Sequence, residues 1–330
     1  MAKRWEELTG QVERKLAVRF VLASRLAKLR SHVEKLFKEK GDVASETIHQ
    51  VRVFCRRVQS ALDVLHEDVP AKHVRKLTKT LKKLRQCAGR VRNSDVLAGE
   101  LSNIRDQAPS QETCAIDWVL DRHRPSRAQG VEKLHKQVRR MEERSFWAWV
   151  DKHYSLEKSS RQLRDAKPTE MSLAALAGEK MVLEIDIFER ASRSYRQGDV
   201  EQLHLLRLAV KRLRYVLEIF AGCFGPTFRP AIYQPICRCQ ELLGFVNDAH
   251  EFALQFDELA RQSKDPNVAR SFIALRDRYA RLLEVAVQQF GEQWNRDEQE
   301  RVLQQIRDVL GISSTRESTG PAPPIGTGTP

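Results

Sequence analysis

Basic residues recur at helical spacing after two histidines of the sequence, His49 and His204. Arginine can donate two parallel hydrogen bonds to phosphate oxygens, and lysine is a mobile point charge that suits the same anion. A histidine ring N–H can also donate to phosphate, and the ring binds better when it is protonated. This pattern predicts the binding of a polyanion. The residues are Arg52, Arg56 and Arg57 after His49, and Arg207, Lys211, Arg212 and Arg214 after His204.

The two groups belong to an internal repeat in which His204 follows His49 by 155 residues. The first copy is IHQVRVFCRRVQSALDVL at positions 48–65, and the second is LHLLRLAVKRLRYVLEIF at positions 203–220. Each copy is predicted to form an amphipathic helix with one apolar and one basic face. At about 100° per residue, the histidine lies at the centre of the basic face.

A second pair of sequence blocks keeps the same offset, because Gly89 aligns with Gly244. Two separate blocks at one offset predict two homologous halves, about 4–165 and 170–311. Residues 312–330 are rich in Gly, Pro, Ser and Thr, and we expect this tail to be disordered.

A further basic segment lies between Val69 and Ser94, where no acidic residue occurs. On a solvated helix, acidic residues usually accompany basic ones at i+4, because such pairs are mildly stabilising. Here the like charges repel, which is unfavourable unless a polyanion neutralises them. We therefore add to the predicted binding residues Lys76, Lys79, Lys83 and Arg90, together with Arg238, which aligns with Lys83.

The positive charge of the chain is concentrated in these segments. The chain has 57 Lys and Arg against 44 Asp and Glu, a formal charge of +13. Residues 49–92 and 204–240 together contain 18 basic and 4 acidic residues, a charge of +14, so the remainder is close to neutral. A local surplus of this size indicates a polyanionic partner: nucleic acid, an acidic membrane or polyphosphate.

Helices are the elements expected to position these residues, because apolar residues recur at spacings of 3 and 4 almost throughout. We predict a first helix that ends before Gly41 and a second over about 45–66. A third should run from Pro70 to about Cys87 and a fourth over about 93–106. Further helices should fill 110–165, with interruptions at Pro125 and Gly130.

Several kinds of protein and site are disfavoured by the sequence. No run of about 18 apolar residues occurs, and the N-terminus does not resemble a signal peptide. Most of the six cysteines lie at apolar positions of helical patterns, which indicates reduced thiols of a cytoplasmic protein. Cys237 and Cys239 lack a second pair of zinc ligands, and we expect no metal site. The common nucleotide-binding and hydrolase motifs do not occur, and no carboxylate pair lies on the basic faces to hold Mg²⁺. We therefore expect no enzymatic activity and no cofactor; a polyphosphatase or triphosphatase is a weaker alternative.

The repeated blocks resemble the signature helices of the CHAD family, the conserved-histidine α-helical domain. The segments that follow them, CAGRVRNSDVLAGEL at 87–101 and QELLGFVNDAHEF at 240–252, resemble the next segments of that family. The resemblance extends over about 10–311, and Asn93 stands where the family usually has Asp. It implies an all-α fold of two helical bundles related by a pseudo-twofold axis, with a basic pocket or channel between them.

The same resemblance implies the binding of inorganic polyphosphate by a stand-alone domain and its targeting to polyphosphate granules. The alternative is a helical protein that binds RNA or DNA. The tryptophans Trp118, Trp147, Trp149 and Trp294 lie outside the basic segments, and we interpret them as packing residues. Their placement argues against single-stranded nucleic acid, because base stacking normally accompanies the charge.

Overall fold

The structure is a computed structural model, and it describes residues 8–39, 43–166, 169, 172–196 and 198–310. Regular structure in these ranges is helical, apart from one isolated bridge between Glu13 and Ser172. The predicted all-α class is thus confirmed. The predicted disordered tail, 312–330, lies outside the described residues.

The α-helices are α1 (Arg14–Lys38), α2 (Ser45–Leu65), α3 (Ala71–Ile104), α4 (Ser110–Glu143), α5 (Phe146–Tyr154), α6 (Leu156–Arg164), α7 (Leu173–Ser194), α8 (Val200–Phe220), α9 (Gln234–Gln262), α10 (Pro266–Gln293) and α11 (Arg296–Leu310). Three-residue 3₁₀ turns follow α2, α3 and α8, and a π-helical turn over Arg229–Tyr233 leads into α9. None of the described helices contains an apolar stretch of the length that a membrane-spanning segment requires.

The register of the sequence repeat is visible in α2 and α8. Their first residues, Ser45 and Val200, and their last residues, Leu65 and Phe220, are both 155 positions apart. Each helix also continues into a 3₁₀ turn of 3 residues. The repeat therefore specifies the length of the helix and the turn that ends it.

The helices contact one another in the same order in both parts of the chain. Contacts join α1 to α2, α2 to α3 and α3 to α4, and likewise α7 to α8, α8 to α9 and α9 to α10. Between the two parts, α2 contacts α8 and α4 contacts α10. The contact between α2 and α8 brings the two copies of the basic helix together. The pseudo-twofold axis, the central pocket and the boundaries of the halves stay predictions.

Most buried apolar side chains form one core that contains residues of both parts, such as Leu26, Val51, Leu213 and Ile236. A smaller cluster lies where α3, α4, α9 and α10 meet, and it includes Leu101, Ile116, Phe256 and Phe272. Burial of this much apolar surface is the main force that holds the basic helices in place.

Two helices are longer than the sequence predicted. α3 is a single helix of 34 residues, whereas we expected a break between Cys87 and Asn93. Ala88 and Val91 are buried in that interval, so packing keeps the helix continuous.

α4 is also one helix of 34 residues, and it runs through Pro125 and Gly130 without interruption. Pro125 lies on an exposed stretch of α4. A Cβ atom on Gly130 would lie 2.9 Å from Cγ2 of Val91, so this glycine marks a close approach of α4 to α3.

Candidate polyanion-binding site

Six basic side chains of α2, α3 and α8 converge where these helices meet. Their positive charges lower one another's pKa: Arg56, Arg85 and Arg92 lower the pKa of Arg52, and Arg85 and Arg207 lower that of Arg56. All six are partly buried. We call this group the central cluster; its members are Arg52 and Arg56 of α2, Arg85 and Arg92 of α3, and Arg207 and Lys211 of α8.

Lys211 is the residue most affected by this crowding. Burial is the largest cause of its low pKa, which falls from 10.5 to about 7, and Arg56, Arg207, Arg52 and Arg85 lower it further in that order. Its amine is thus surrounded by guanidinium groups from all three helices of the central cluster.

The arginines of the central cluster show the same physical effect. Burial and then Arg56, Arg85 and Arg92 lower the pKa of Arg52 from 12.5 to about 10. Burial is also the first cause of the lowered pKa values of Arg56 and Arg207. Each of these groups would be stabilised in its charged form by a bound anion.

Two members of the central cluster donate to neutral oxygens, and no ion pair within 4 Å joins the cluster to a described carboxylate, although Asp248 and Glu251 of α9 act on the pKa of Arg207 and raise it. Arg52 Nη1 donates to Asn93 Oδ1 at 3.2 Å, and Arg92 Nη1 donates to Ser45 Oγ at 3.0 Å. The buried Nε of Arg56 has no hydrogen-bond partner there. The neutral amide of Asn93 accepts a hydrogen bond without cancelling the charge of Arg52.

The alignment of the repeat explains why these particular side chains meet. Arg52 aligns with Arg207 and Arg56 aligns with Lys211, and the contact between α2 and α8 brings both pairs into one site. The buried Tyr215 also lies among them, as is shown by its effect on the pKa values of Arg52, Arg56 and Arg207. The sequence predicted these four basic residues as binding residues, and the structure brings them together.

The two histidines differ in their surroundings. His49 is half-buried beside the central cluster, and burial, Arg92, Arg52 and Arg56 lower its pKa. Its ring is therefore neutral at pH 7 and can donate a single N–H. His204 is exposed on α8, and no described contact joins it to the central cluster.

Three of the predicted binding residues engage carboxylates. Arg57 Nε lies 3.6 Å from Glu218 Oε2, and Arg214 Nη1 lies 3.1 Å from Glu218 Oε1. Arg212 Nε lies 2.7 Å from Glu184 Oε2. Arg57 and Arg214 share the single carboxylate of Glu218, and Arg212 has that of Glu184. Because each of the three engages a carboxylate, we do not include them in the central cluster.

The predicted residues of α3 point away from the central cluster. Lys76, Lys79, Lys83 and Arg90 lie about 120–180° around the helix from Arg85. All but Lys76 are exposed, and Lys76 Nζ lies 4.4 Å from the centroid of the Trp149 ring. The predicted Arg238 is likewise exposed, on α9.

Arg85 and Arg92 were not among the predicted residues. They are seven positions apart, so they share one face of α3, and Thr78 on that face lies 3.4 Å from the side chain of Gln59 in α2. The i, i+7 spacing was visible in the sequence, but nothing there showed that this face meets α2.

A sequence model of the CHAD domain matches residues 21–251 and, in a second match, 184–327. This chain belongs to the CHAD domain family. The family is associated in general with polyphosphate binding. The comparison with curated protein sequences gives no match.

Two solved structures share the fold of this CHAD domain. The crystal structure of the CHAD domain from the plant Ricinus communis has a TM-score of 0.64 at 22% identity, over 94% of each chain. PptA from Streptomyces chartreusis has a TM-score of 0.62 at 15% identity, over 85% of this chain and 98% of its own. At these identities, the similarity concerns the fold.

Proposed function

We propose that this CHAD domain binds inorganic polyphosphate at the central cluster without hydrolysing it. One observation carries the proposal: six cations from both parts of the chain share a half-buried site in which no described carboxylate forms an ion pair with them. Such a concentration of like charge is unfavourable without an anion, and a chain of phosphates supplies one negative group after another. The general association of the family with polyphosphate supports the same ligand.

Polyphosphate fits this site better than single-stranded nucleic acid does. Recognition of single strands usually includes aromatic faces on which bases stack. Tyr215 is 9% exposed, and the guanidinium carbon of Arg214 lies 5.0 Å from the centroid of its ring, so it offers no open ring face for stacking. The six members of the central cluster are all cations, and none of them is an aromatic side chain.

The proposed absence of catalysis rests on the composition of the central cluster. Phosphoryl-transfer enzymes generally use carboxylates to hold Mg²⁺ against the phosphates. The members of the central cluster are five guanidinium groups and one amine, which bind and orient phosphate, and the carboxylates Asp248 and Glu251 act on Arg207 without forming an ion pair with it. We propose that binding targets the protein to polyphosphate granules in the cytoplasm.

Replacing the aligned pair Arg52→Ala and Arg207→Ala tests the site. Each lost charge-assisted hydrogen bond costs about 1.5–3 kcal/mol, so we expect the affinity for fluorescently labelled long-chain polyphosphate to fall about a hundredfold or more. The matched control is Lys158→Ala with Lys264→Ala, which removes the same charge from exposed positions on α6 and beside α10. Equal affinity of the two double variants at physiological salt would refute the assignment of the site.

Two further measurements separate polyphosphate binding from the alternatives. Duplex DNA or RNA at equal phosphate concentration should leave labelled polyphosphate bound, and displacement would favour the nucleic-acid hypothesis. Incubation with tripolyphosphate and Mg²⁺ or Mn²⁺ should release no phosphate. Release that is lost in the Arg52→Ala, Arg207→Ala variant would show that the protein is an enzyme.

A further inference from the structure

We propose that the outer face of α3 is a second polyphosphate-binding surface, which holds the part of a long chain that extends beyond the central cluster. The inference rests on the proposed function, and it adds that affinity depends on the length of the polyphosphate chain. We call this surface the outer stripe and define it as Lys72, Lys79, Lys82, Lys83 and Arg90.

The outer stripe is exposed and its charge is uncompensated. All five side chains are exposed, and none of them forms an ion pair with a described carboxylate. The absence of acidic residues between Val69 and Ser94 means that α3 itself offers no partner at i+3 or i+4. The apolar positions of α3, such as Leu77, Leu84 and Val91, are buried on the other side of the helix.

The outer stripe is continuous with the central cluster. Lys82 precedes Arg85 by three positions, which places their Cβ atoms about 5–6 Å apart on adjacent turns. Lys79 precedes Lys82 by the same interval, and Lys83 is adjacent in sequence. These steps are shorter than the screening length of about 8 Å at physiological salt. An anionic chain can therefore pass from Arg85 to the outer stripe without leaving the positive potential.

The length of the outer stripe suits a linear polyanion. Lys72 and Arg90 are 18 positions apart, which corresponds to about 27 Å along a helix. The positive surface also extends to α4, because Arg90, Arg140 and Lys133 all act on the thiol of Cys87. A small phosphate compound would cover a fraction of this surface, whereas an extended phosphate chain could follow all of it.

The outer stripe is confined to one part of the repeat. At the offset of 155 residues, the position of Lys83 is basic in the second part, as Arg238, and the other four are not. The central cluster has aligned cations on α2 and α8, but the outer stripe has no full counterpart on α9. A long chain would thus leave the central cluster along α3. The residues of the second part that align with Lys72, Lys79, Lys82 and Arg90 are Thr227, Gln234, Cys237 and Phe245.

The test compares short and long polyphosphate. Polyphosphate chains are kept in molar excess over the protein, so that a chain binds at most one protein molecule. The stripe variant is Lys79→Ala, Lys83→Ala, Arg90→Ala, and the control is Lys158→Ala, Arg164→Ala, Lys264→Ala, which removes three exposed cations elsewhere. For wild type and control, chains of about a hundred phosphates should bind at least tenfold tighter than chains of about ten, because the second contact is intramolecular.

The stripe variant should bind the short chain as wild type does and lose the gain for the long chain. If the gain in affinity for the long chain is unchanged, the role proposed for the outer stripe is wrong, whereas binding at the central cluster is not contradicted. Loss of affinity for RNA with an unchanged polyphosphate gain would assign the surface to nucleic acid and overturn it as well. If wild type binds neither polyphosphate chain, the proposed function itself fails.

Discussion

At the scale of single residues, burial and the crowding of cations lower the pKa of Lys211 far enough to be measured. Its pKa of about 7 lies far below the ordinary value of 10.5, so the free protein loses this proton as the pH rises through 7. The unfolded chain keeps the proton up to about pH 10.5, so Lys211 makes the ligand-free fold more stable as the pH rises from 7 towards 10.5. A bound polyanion favours the charged amine and raises its pKa again. Binding above pH 7 should therefore take up a proton.

The variant Lys211→Arg tests this proton uptake, because arginine keeps its charge over the whole range. We expect wild-type affinity to fall between pH 7 and 9, by no more than tenfold per pH unit, and the variant to fall less. Calorimetric titration at pH 8 in two buffers of different ionisation enthalpy should detect proton uptake by wild type. Equal uptake by both proteins would contradict the role of Lys211.

Residue types and spacing pointed to four members of the central cluster, whereas the placement of the other predicted residues depends on long-range pairing. Arg52, Arg56, Arg207 and Lys211 could be found because the repeat places them at equivalent positions of one helix face. The pairing of Arg212 with Glu184 joins α8 to α7, which no local pattern reveals. Lys83 and Arg90 cannot be told apart from Arg85 by their sequence, because the sequence does not show which face of α3 meets α2.

At the scale of elements, the central cluster depends on the close approach of α2 to α3. Gly89 lies under the guanidinium of Arg52, and a Cβ atom at this position would collide with Nη1. The aligned residue Gly244 has nothing within 4 Å of a Cβ atom, so the two glycines have different roles. Gly89 thus provides the space in which Arg52 lies on α3 and reaches Asn93.

These two glycines provide a matched pair of variants. Gly89→Ala should displace the flexible end of Arg52 and weaken polyphosphate binding about tenfold, the effect of one charge-assisted hydrogen bond. Gly244→Ala should leave affinity unchanged and stabilise the fold by up to about 1 kcal/mol through helix propensity. Affinity titrations and urea unfolding measure both effects. Equal affinity of the two variants would show that the position of Arg52 does not depend on Gly89.

The helices themselves were predicted with unequal success for a physical reason. α2 and α8 were predictable because each has a clear apolar face and recurs in the repeat. The breaks expected within α3 and α4 were wrong, because buried Val91 and the small Gly130 pack these helices together along their length. Such packing outweighs the local cost of a glycine in a helix, about 1 kcal/mol.

At the scale of the whole molecule, the shared core should make the two parts unfold together. The main core contains Val51 of α2 and Leu213 of α8, and both side chains are fully buried. Stability in one part therefore depends on packing in the other. Two separate cores would instead permit two transitions.

Leu213→Ala tests this coupling, since it should cost about 2–5 kcal/mol by creating a cavity in the core. Hydrogen exchange measured by mass spectrometry in increasing urea should show α2 and α8 losing protection at the same midpoint. The variant should lower both midpoints equally. A lower midpoint for α8 with unchanged α2 would show that the parts are stable independently.

The contact between α2 and α8 has a consequence for any chain that carries a single copy of the repeat. Such a chain would contribute cations from one basic helix, and it could complete the central cluster only by forming a homodimer. Its binding site would then exist only above the dimer dissociation constant. Joining both copies in one polypeptide replaces this association by a fixed effective concentration, so the site is complete however dilute the protein is.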